Sequence, residues 1–215
     1  MGILVSDFDS TLTQRDFFDL VRERWPVPPE QDPWKKYVAG ELTHFEALAE
    51  IFRGIRSDET SLLKLVDTME LDLDLASSVA TLKTYGWDVV VASAGCDWYI
   101  RYLLRQAGVS IPVHANPGTF DPSKGLLMTP PVDSPFFSAS TGIDKPGVVR
   151  DALRRTEHVA FAGDGRPDLE PALLVHPKYR FARGWLADAL TERGETFHSF
   201  SHWSEIVTQL LTVPC

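Results

Sequence analysis

Three apolar runs in this 215-residue chain stop abruptly on polar residues. Ile3 to Val5 runs into Ser6-Asp7, Trp87 to Ala92 into Ser93, and His158 to Ala162 into Gly163-Asp164. Short apolar runs without polar alternation predict strands covered on both faces, as in a parallel sheet. Ligands of such sheets bind just outside the carboxyl ends of the strands. The polar endings are therefore the first place to look for chemistry.

The intervals between the runs support that reading. From about residue 77 onward, strand and helix patterns alternate. Helices are expected at Leu75 to Tyr85, Asp97 to Ala107 with Gly108 at its end, Pro146 to Arg155, Asp168 to Leu174, Trp185 to Arg193 and Trp203 to Leu211. Further short strands are expected at Val113 to Ala115 and around Tyr179 to Ala182. Such βα alternation predicts a mostly parallel sheet covered by helices. The first strand stands apart. Residues 14 to 76 read as helices only: Asp16 to Trp25, a short one after Pro33, one opened by the Thr43-His44-Phe45-Glu46 capping box, and one capped by Ser57 or Asp58. The expected organisation is an α/β core, residues 1–13 and 77–215, with a helical segment, 14–76, inserted after the first strand. Asn116 to Ile143 is rich in Pro, Gly and Ser, with short β pieces such as Gly125 to Met128.

The formal net charge of −9 argues against a general nucleic-acid surface, which needs a basic footprint. No apolar stretch approaches the ~20 residues that a membrane helix needs. Two cysteines, Cys96 and Cys215, cannot supply a disulfide framework or a CxxC metal site. The expectation is a cytoplasmic protein, monomer or homodimer, acting on a small molecule. An acidic protein that handles an anion must concentrate positive charge locally or bind a metal.

Four local patterns carry candidate chemistry. In Asp7-Phe8-Asp9-Ser10-Thr11-Leu12-Thr13, two carboxylates follow a buried strand, two residues apart. Like charges so close raise one another's pKa unless a cation offsets them. The local alternative is a solvated turn with an Asx cap. Ser93-Ala94-Gly95 delivers a hydroxyl and backbone N–H groups to a helix start, which suits phosphate, although Ser as an N-cap is the plainer reading. Lys145 opens a helix, where the dipole opposes a cation. A bound anion would explain it, and an exposed lysine is the alternative. Gly163-Asp164-Gly165-Arg166-Pro167-Asp168 again ends a strand in acids, here four apart, or is a turn with capping acids.

In this order the four patterns resemble the haloacid dehalogenase (HAD) superfamily, whose phosphatases carry DxDx[T/V], a Ser or Thr, a Lys and a terminal acidic pair. The resemblance spans residues 7 to 168. It implies a Rossmannoid parallel core with an inserted helical cap, and a magnesium-dependent phosphatase. Asp7 would attack phosphorus and Asp9 would act as general acid and base. Mg²⁺ would be held by Asp7, the backbone carbonyl of Asp9, and Asp164. Ser93, Ala94, Gly95 and Lys145 would grip the phosphoryl oxygens, with Thr11 and Asp168 in support. Asp9 separates such phosphatases from the dehalogenases and transport ATPases of this fold, which lack a second acid.

The helical insertion resembles the cap of the phosphoserine phosphatase-like branch. That family has Glu where this chain has Asp16, and Asn where it has Pro167. Asp16 and the Asp97-Trp98-Tyr99 stretch resemble instead the phosphatases of 2-hydroxy-3-keto-5-methylthiopentenyl-1-phosphate. Asp16 is the first candidate for reading the substrate, with Phe17, Phe18, Trp34, Lys35 and Arg53 behind it. The six histidines show no metal-ligand spacing and are expected at the surface or in caps. Cys96 is expected to pack at a helix start, a position that can lower a thiol pKa. The alternatives are a phosphoserine phosphatase, a phosphotransferase or phosphomutase of the same fold, and, in another class, a non-catalytic phosphate-binding protein.

Overall fold

The computed structural model describes residues 1–212, and Cys215 lies outside them. Its six-stranded sheet has β1 (Gly2–Ser6) and β2 (Trp87–Cys96) at the centre, β3 (Val113–Asn116) on one side, and β8 (Val159–Gly163), β9 (Arg180–Ala182) and β10 (His198–Ser199) on the other. The spatial order is β10-β9-β8-β1-β2-β3, and every neighbouring pair is parallel. This matches the expected parallel core. Between β3 and β8 lie two small antiparallel pairs: β4 (Gly118–Asp121) with β5 (Gly125–Met128), and β6 (Phe137–Ser138) with β7 (Gly142–Ile143).

The pleat explains the uninterrupted apolar runs. Leu4, Val89, Val91, Ala160 and Ala162 join one hydrophobic cluster, while Ile3, Val5, Val90, Ala92, Val159 and Phe161 join the other. Successive residues point to opposite faces, and both faces are covered. The first cluster takes in residues of α5 (Leu75–Thr84), α6 (Asp97–Gln106) and α10 (Ser204–Thr212). The second is filled from α7 (Lys145–Arg155), α8 (Leu169–Leu174) and α9 (Gly184–Glu192). Among the described residues, no helix is long and apolar enough to cross a membrane.

After β1 the chain enters α1 (Phe17–Arg24), α2 (Pro33–Val38), α3 (His44–Arg53) and α4 (Glu59–Asp67) before α5 returns it to the sheet. Local chemistry sets these starts. Asp16, Asp32, Thr43 and Asp58 each accept a backbone N–H at a helix N-terminus, and Thr43 with Glu46 completes the capping box. The outgoing and returning chains meet at an antiparallel bridge between Thr13 and Leu71. The segment between β3 and α7 also touches the helices. Ser140 accepts the Phe45 N–H at 2.9 Å, and β5 packs against α3. At Gly125, with φ +83°, a Cβ would lie 2.5 Å from the Arg53 carbonyl oxygen, so only glycine allows this approach.

Sheet register brings the polar strand ends together. Ser6 lies opposite Val91 on one side and Ala162 on the other. Asp7, Ser93 and Asp164 therefore emerge at one edge of the sheet, beneath the helices. The strand carrying Ser93 continues to Cys96 through an irregular stretch of pairing with β3, so it is longer than its apolar run.

Candidate active site

Asp7 follows β1 and is 6% exposed. Its Oδ1 lies 2.8 Å from Lys145 Nζ, and the same ammonium lies 2.6 Å from Asp168 Oδ1. Lys145, at the first residue of α7, is therefore buried between two carboxylates rather than exposed. Those charges are the reason for a cation at a helix N-terminus. Burial alone would lower the Lys145 pKa, but Asp168 and Asp7 outweigh it and hold the ammonium above its usual range.

One oxygen each of Asp7, Asp164 and Asp168 lies within 4.8 Å of the others. Three carboxylates thus face a single lysine. Burial, and then the Asp168 charge, push the Asp164 carboxyl up to about 7; Lys145 and the Thr11 hydrogen bond oppose this. Burial likewise pushes Asp7 up, with Asp168 adding to it and Lys145 opposing. This surplus of negative charge, presented by oxygen alone, fits a hard divalent cation such as Mg²⁺. Asp168 is the least free of the three. Its Oδ2 accepts the N–H groups of Asp164 (3.1 Å) and Gly165 (2.9 Å), and its Oδ1 accepts from Lys145. It shapes the loop and fixes the lysine. Thr11 donates to Asp164 Oδ1 at 3.0 Å, orienting that carboxylate.

Asp9 turns away from this cluster, toward the helices. Its Oδ2 accepts the Tyr99 hydroxyl at 2.8 Å and, more loosely, Ser93 Oγ at 3.4 Å. Its Oδ1 accepts the Phe17 N–H at 3.2 Å. Burial raises the Asp9 pKa, and the Tyr99 hydrogen bond is the first effect to oppose it. Phe17, expected as a possible substrate contact, is fully buried and packs on Tyr99 with ring centroids 4.4 Å apart. It supports the group that holds Asp9. Gly95 leaves room for the same contact, because a Cβ there would sit 2.0 Å from the Tyr99 oxygen. The Gly95 N–H donates to Ser93 Oγ (2.9 Å), so within the phosphate-loop pattern it is engaged internally.

These groups open onto a cavity of about 310 Å³. Asp7, Asp9, Ser93, Ala94, Gly95, Lys145, Asp164 and Asp168 line its floor. The helices contribute Asp16, Phe18, Asp19, Trp34, Tyr37, His44, Leu48 and Phe52. Asp16 serves first as the N-cap of α1, accepting Phe18 N–H at 2.7 Å, and it also faces the cavity. Lys35 and Arg53 are not among the lining residues, and both are exposed. Cys96 is buried, and burial pushes its thiol up to about 12, so the helix start does not activate it.

Five contributors escape the sequence patterns. Tyr99 belongs to none of the four motifs. His44 is a buried cavity wall rather than a surface or capping residue. Arg166 and Trp185 meet at the mouth, the guanidinium 4.7 Å from the ring centroid. Arg183 binds the carbonyls of Thr13 and Ser201 at 2.7 Å each, and that of Ser10, pinning the loop after Asp9. Ser10 needs such a clamp, since its φ of +50° is one that non-glycine residues rarely adopt. Sequence signals lie near three of them: the acidic pair after β8 flanks Arg166, the Asp97-Trp98-Tyr99 stretch contains Tyr99, and the Thr43 capping box contains His44, but none of these signals assigns the role seen here.

No family model matches the chain. It is 22% identical over 214 residues to the 2-hydroxy-3-keto-5-methylthiopentenyl-1-phosphate phosphatase of Exiguobacterium sibiricum, covering 97% of this chain and 96% of that protein. It is 29% identical over 171 residues to the phosphoserine phosphatase of Vibrio cholerae, covering 78% of this chain and 51% of that one. Among solved structures, a HAD-family hydrolase from Salmonella enterica serovar Typhi superposes with a TM-score of 0.70 at 19% identity, covering 100% of this chain and 72% of that one. A substrate-bound phosphoserine phosphatase gives 0.65 at 16% identity, covering 96% and 97%.

Proposed function

Because the chain is a phosphatase of the haloacid dehalogenase superfamily, we propose that it is a magnesium-dependent phosphomonoester hydrolase acting on a small phosphorylated metabolite, with Asp7 as nucleophile and Asp9 as general acid and base. The observation that carries this reading is Asp7 itself: buried, ion-paired to Lys145, and clustered with Asp164 and Asp168. We assign residues 14–76 to a helical cap and residues 1–13 and 77–215 to the core.

In this mechanism a carboxylate oxygen of Asp7 attacks phosphorus. The bond to the ester oxygen breaks, and Asp9 gives its proton to the departing alkoxide. A carboxyl raised by burial suits that task. The product is an aspartyl-phosphate. Asp9, now ionised, takes a proton from water as the water attacks the same phosphorus, and inorganic phosphate leaves with Asp7 restored. Lys145 and Ser93 hold phosphoryl oxygens through both steps, so that little reorganisation is needed when charge builds up. Asp7, the Asp9 carbonyl and Asp164 would hold Mg²⁺, which supplies charge neutralisation at the phosphoryl oxygens. The cap excludes water from the first step.

Phosphate release from a panel of small phosphomonoesters, with and without Mg²⁺, tests the proposal. The panel is headed by 2-hydroxy-3-keto-5-methylthiopentenyl-1-phosphate, because relatives named for it match this chain nearly end to end. Phosphoserine comes next. Mg²⁺-dependent turnover of one member, abolished by Asp7→Asn, is expected. Ligand binding without turnover of any member would instead favour a phosphate-binding scaffold.

A further inference from the structure

His44 is a polar group without a role in the chemistry above. It is the first residue of α3 and is 9% exposed. Its ring stands edge-on to Trp34, with centroids 5.6 Å apart at 72°, and to Tyr37, at 5.4 Å and 84°. These contacts fix the plane of the imidazole. Burial, and then the nearby Lys145 charge, lower its pKa to about 4, so at neutral pH the ring is uncharged. A neutral imidazole offers one donor and one acceptor. Among the described residues the His44 ring has no hydrogen-bond partner; its Nδ1 is wholly buried, which leaves Nε2 as the ring nitrogen able to meet a ligand in the cavity that His44 lines. The usual local partners are engaged. The Phe45 N–H donates to Ser140, and the Thr43 N–H donates to Glu46. A polar ring left unpaired at the wall of a cavity calls for an explanation, and a missing ligand is one.

The rest of the upper cavity narrows what that ligand can be. Its walls include Phe18, Trp34, Tyr37, Phe52 and Trp185. Its ionisable groups on the helical side are the acids Asp16 and Asp19, with no lysine or arginine among the lining residues there. Of the two lining cations, Lys145 is held by Asp7 and Asp168, and Arg166 lies at the exposed mouth over Trp185. A leaving group bearing a carboxylate would meet acids and find no cation on the helical wall.

Resting on the phosphatase reading, we infer that the site selects phosphomonoesters whose leaving group is flat or apolar and carries no carboxylate, and that His44 is the specificity residue that hydrogen-bonds a polar substituent on that group. The aromatic wall covers the body of the leaving group, while the phosphoryl end sits on the floor.

Three esters of primary alcohols test this with similar leaving-group reactivity: benzyl phosphate, 3-hydroxybenzyl phosphate and O-phosphoserine. The expected order of kcat/KM is 3-hydroxybenzyl, then benzyl, then phosphoserine, with about tenfold between the first two, the worth of one buried hydrogen bond. His44→Leu should bring the ratio of the first two close to one, acting mainly through KM, and His44→Gln should restore part of it. Circular dichroism of each variant checks the fold. Binding is read separately in Asp7→Asn protein from the intrinsic tryptophan fluorescence, to which the cavity residues Trp34 and Trp185 contribute, so the order of affinities is measured even without turnover. Failure of these esters and of the whole panel above to turn over would defeat the phosphatase reading, while the binding order would still decide the inference. Phosphoserine bound or turned over as well as the aromatic esters would overturn it, as would a ratio unchanged in His44→Leu.

Discussion

The Tyr99 hydroxyl donates to Asp9 Oδ2 at 2.8 Å, and among the described residues no other side chain bonds this carboxylate as closely. Asp9 is thereby turned toward the cavity and away from the Asp7, Asp164 and Asp168 cluster. Tyr99→Phe keeps the ring packing on Phe17 and removes only the hydroxyl. It should lower kcat about tenfold, the equivalent of one net hydrogen bond to a charged group, with little change in KM. Gly95→Ala should do at least as much, because its Cβ would displace the Tyr99 oxygen. Steady-state kinetics on any turned-over ester checks both. An unaltered kcat in Tyr99→Phe would mean that Asp9 is oriented by other contacts.

Thr11 is buried, and its hydroxyl donates to Asp164 Oδ1 at 3.0 Å. Thr11→Val preserves shape and removes that bond. Partners that orient metal-binding carboxylates typically contribute 10–100-fold in metal affinity. The Mg²⁺ concentration for half-maximal activity should therefore rise by about tenfold, with kcat at saturating Mg²⁺ largely kept. A fall in kcat at an unchanged Mg²⁺ requirement would place Thr11 outside the metal site.

His44 predicts a pH dependence of stability. Its folded pKa, about 4, lies below the unfolded value of 6.5. Between these values the unfolded chain binds the extra proton, so folding stability rises with pH through the window. The contribution is complete above pH 6.5 and is lost as pH falls toward 4. Its full size is on the order of 3 kcal/mol. His44→Phe should flatten the corresponding part of the curve, read as the change in Tm between pH 7 and pH 5 in both proteins. An equal change in the two would show that His44 does not titrate in this way.

The strand-end acids were legible in the sequence because a strand buried on both faces leaves an unbroken apolar run, and the residue that ends the run is pinned by sheet register. Asp7, Ser93 and Asp164 follow from that rule alone. The helix starts at Thr43 and at Ser57 or Asp58 are legible through capping chemistry, and the structure places the second at Asp58. Tyr99 was not, since on an amphipathic helix an inward aromatic looks like core, and only the tertiary fold points its hydroxyl at a carboxylate. The sequence puts His44 at the surface or in a cap, because its place in a capping box says nothing about which face of α3 is buried. Arg183 acts on Ser10 and Thr13, about 170 positions earlier in the chain, at a range that no local pattern covers. The two-residue strand β10 is too short to give any periodic signal.

In the proposed mechanism phosphate is carried on Asp7. Rapid mixing of the Mg²⁺-loaded enzyme with a turned-over ester, an acid quench within the first turnover, and mass spectrometry of the peptide containing Asp7 measures it directly. The added mass of one phosphoryl group is expected on Asp7 in the wild type and is expected to be absent in Asp7→Asn. Phosphate release with no phosphorylated Asp7 at any quench time, and with activity surviving in Asp7→Asn, would contradict it.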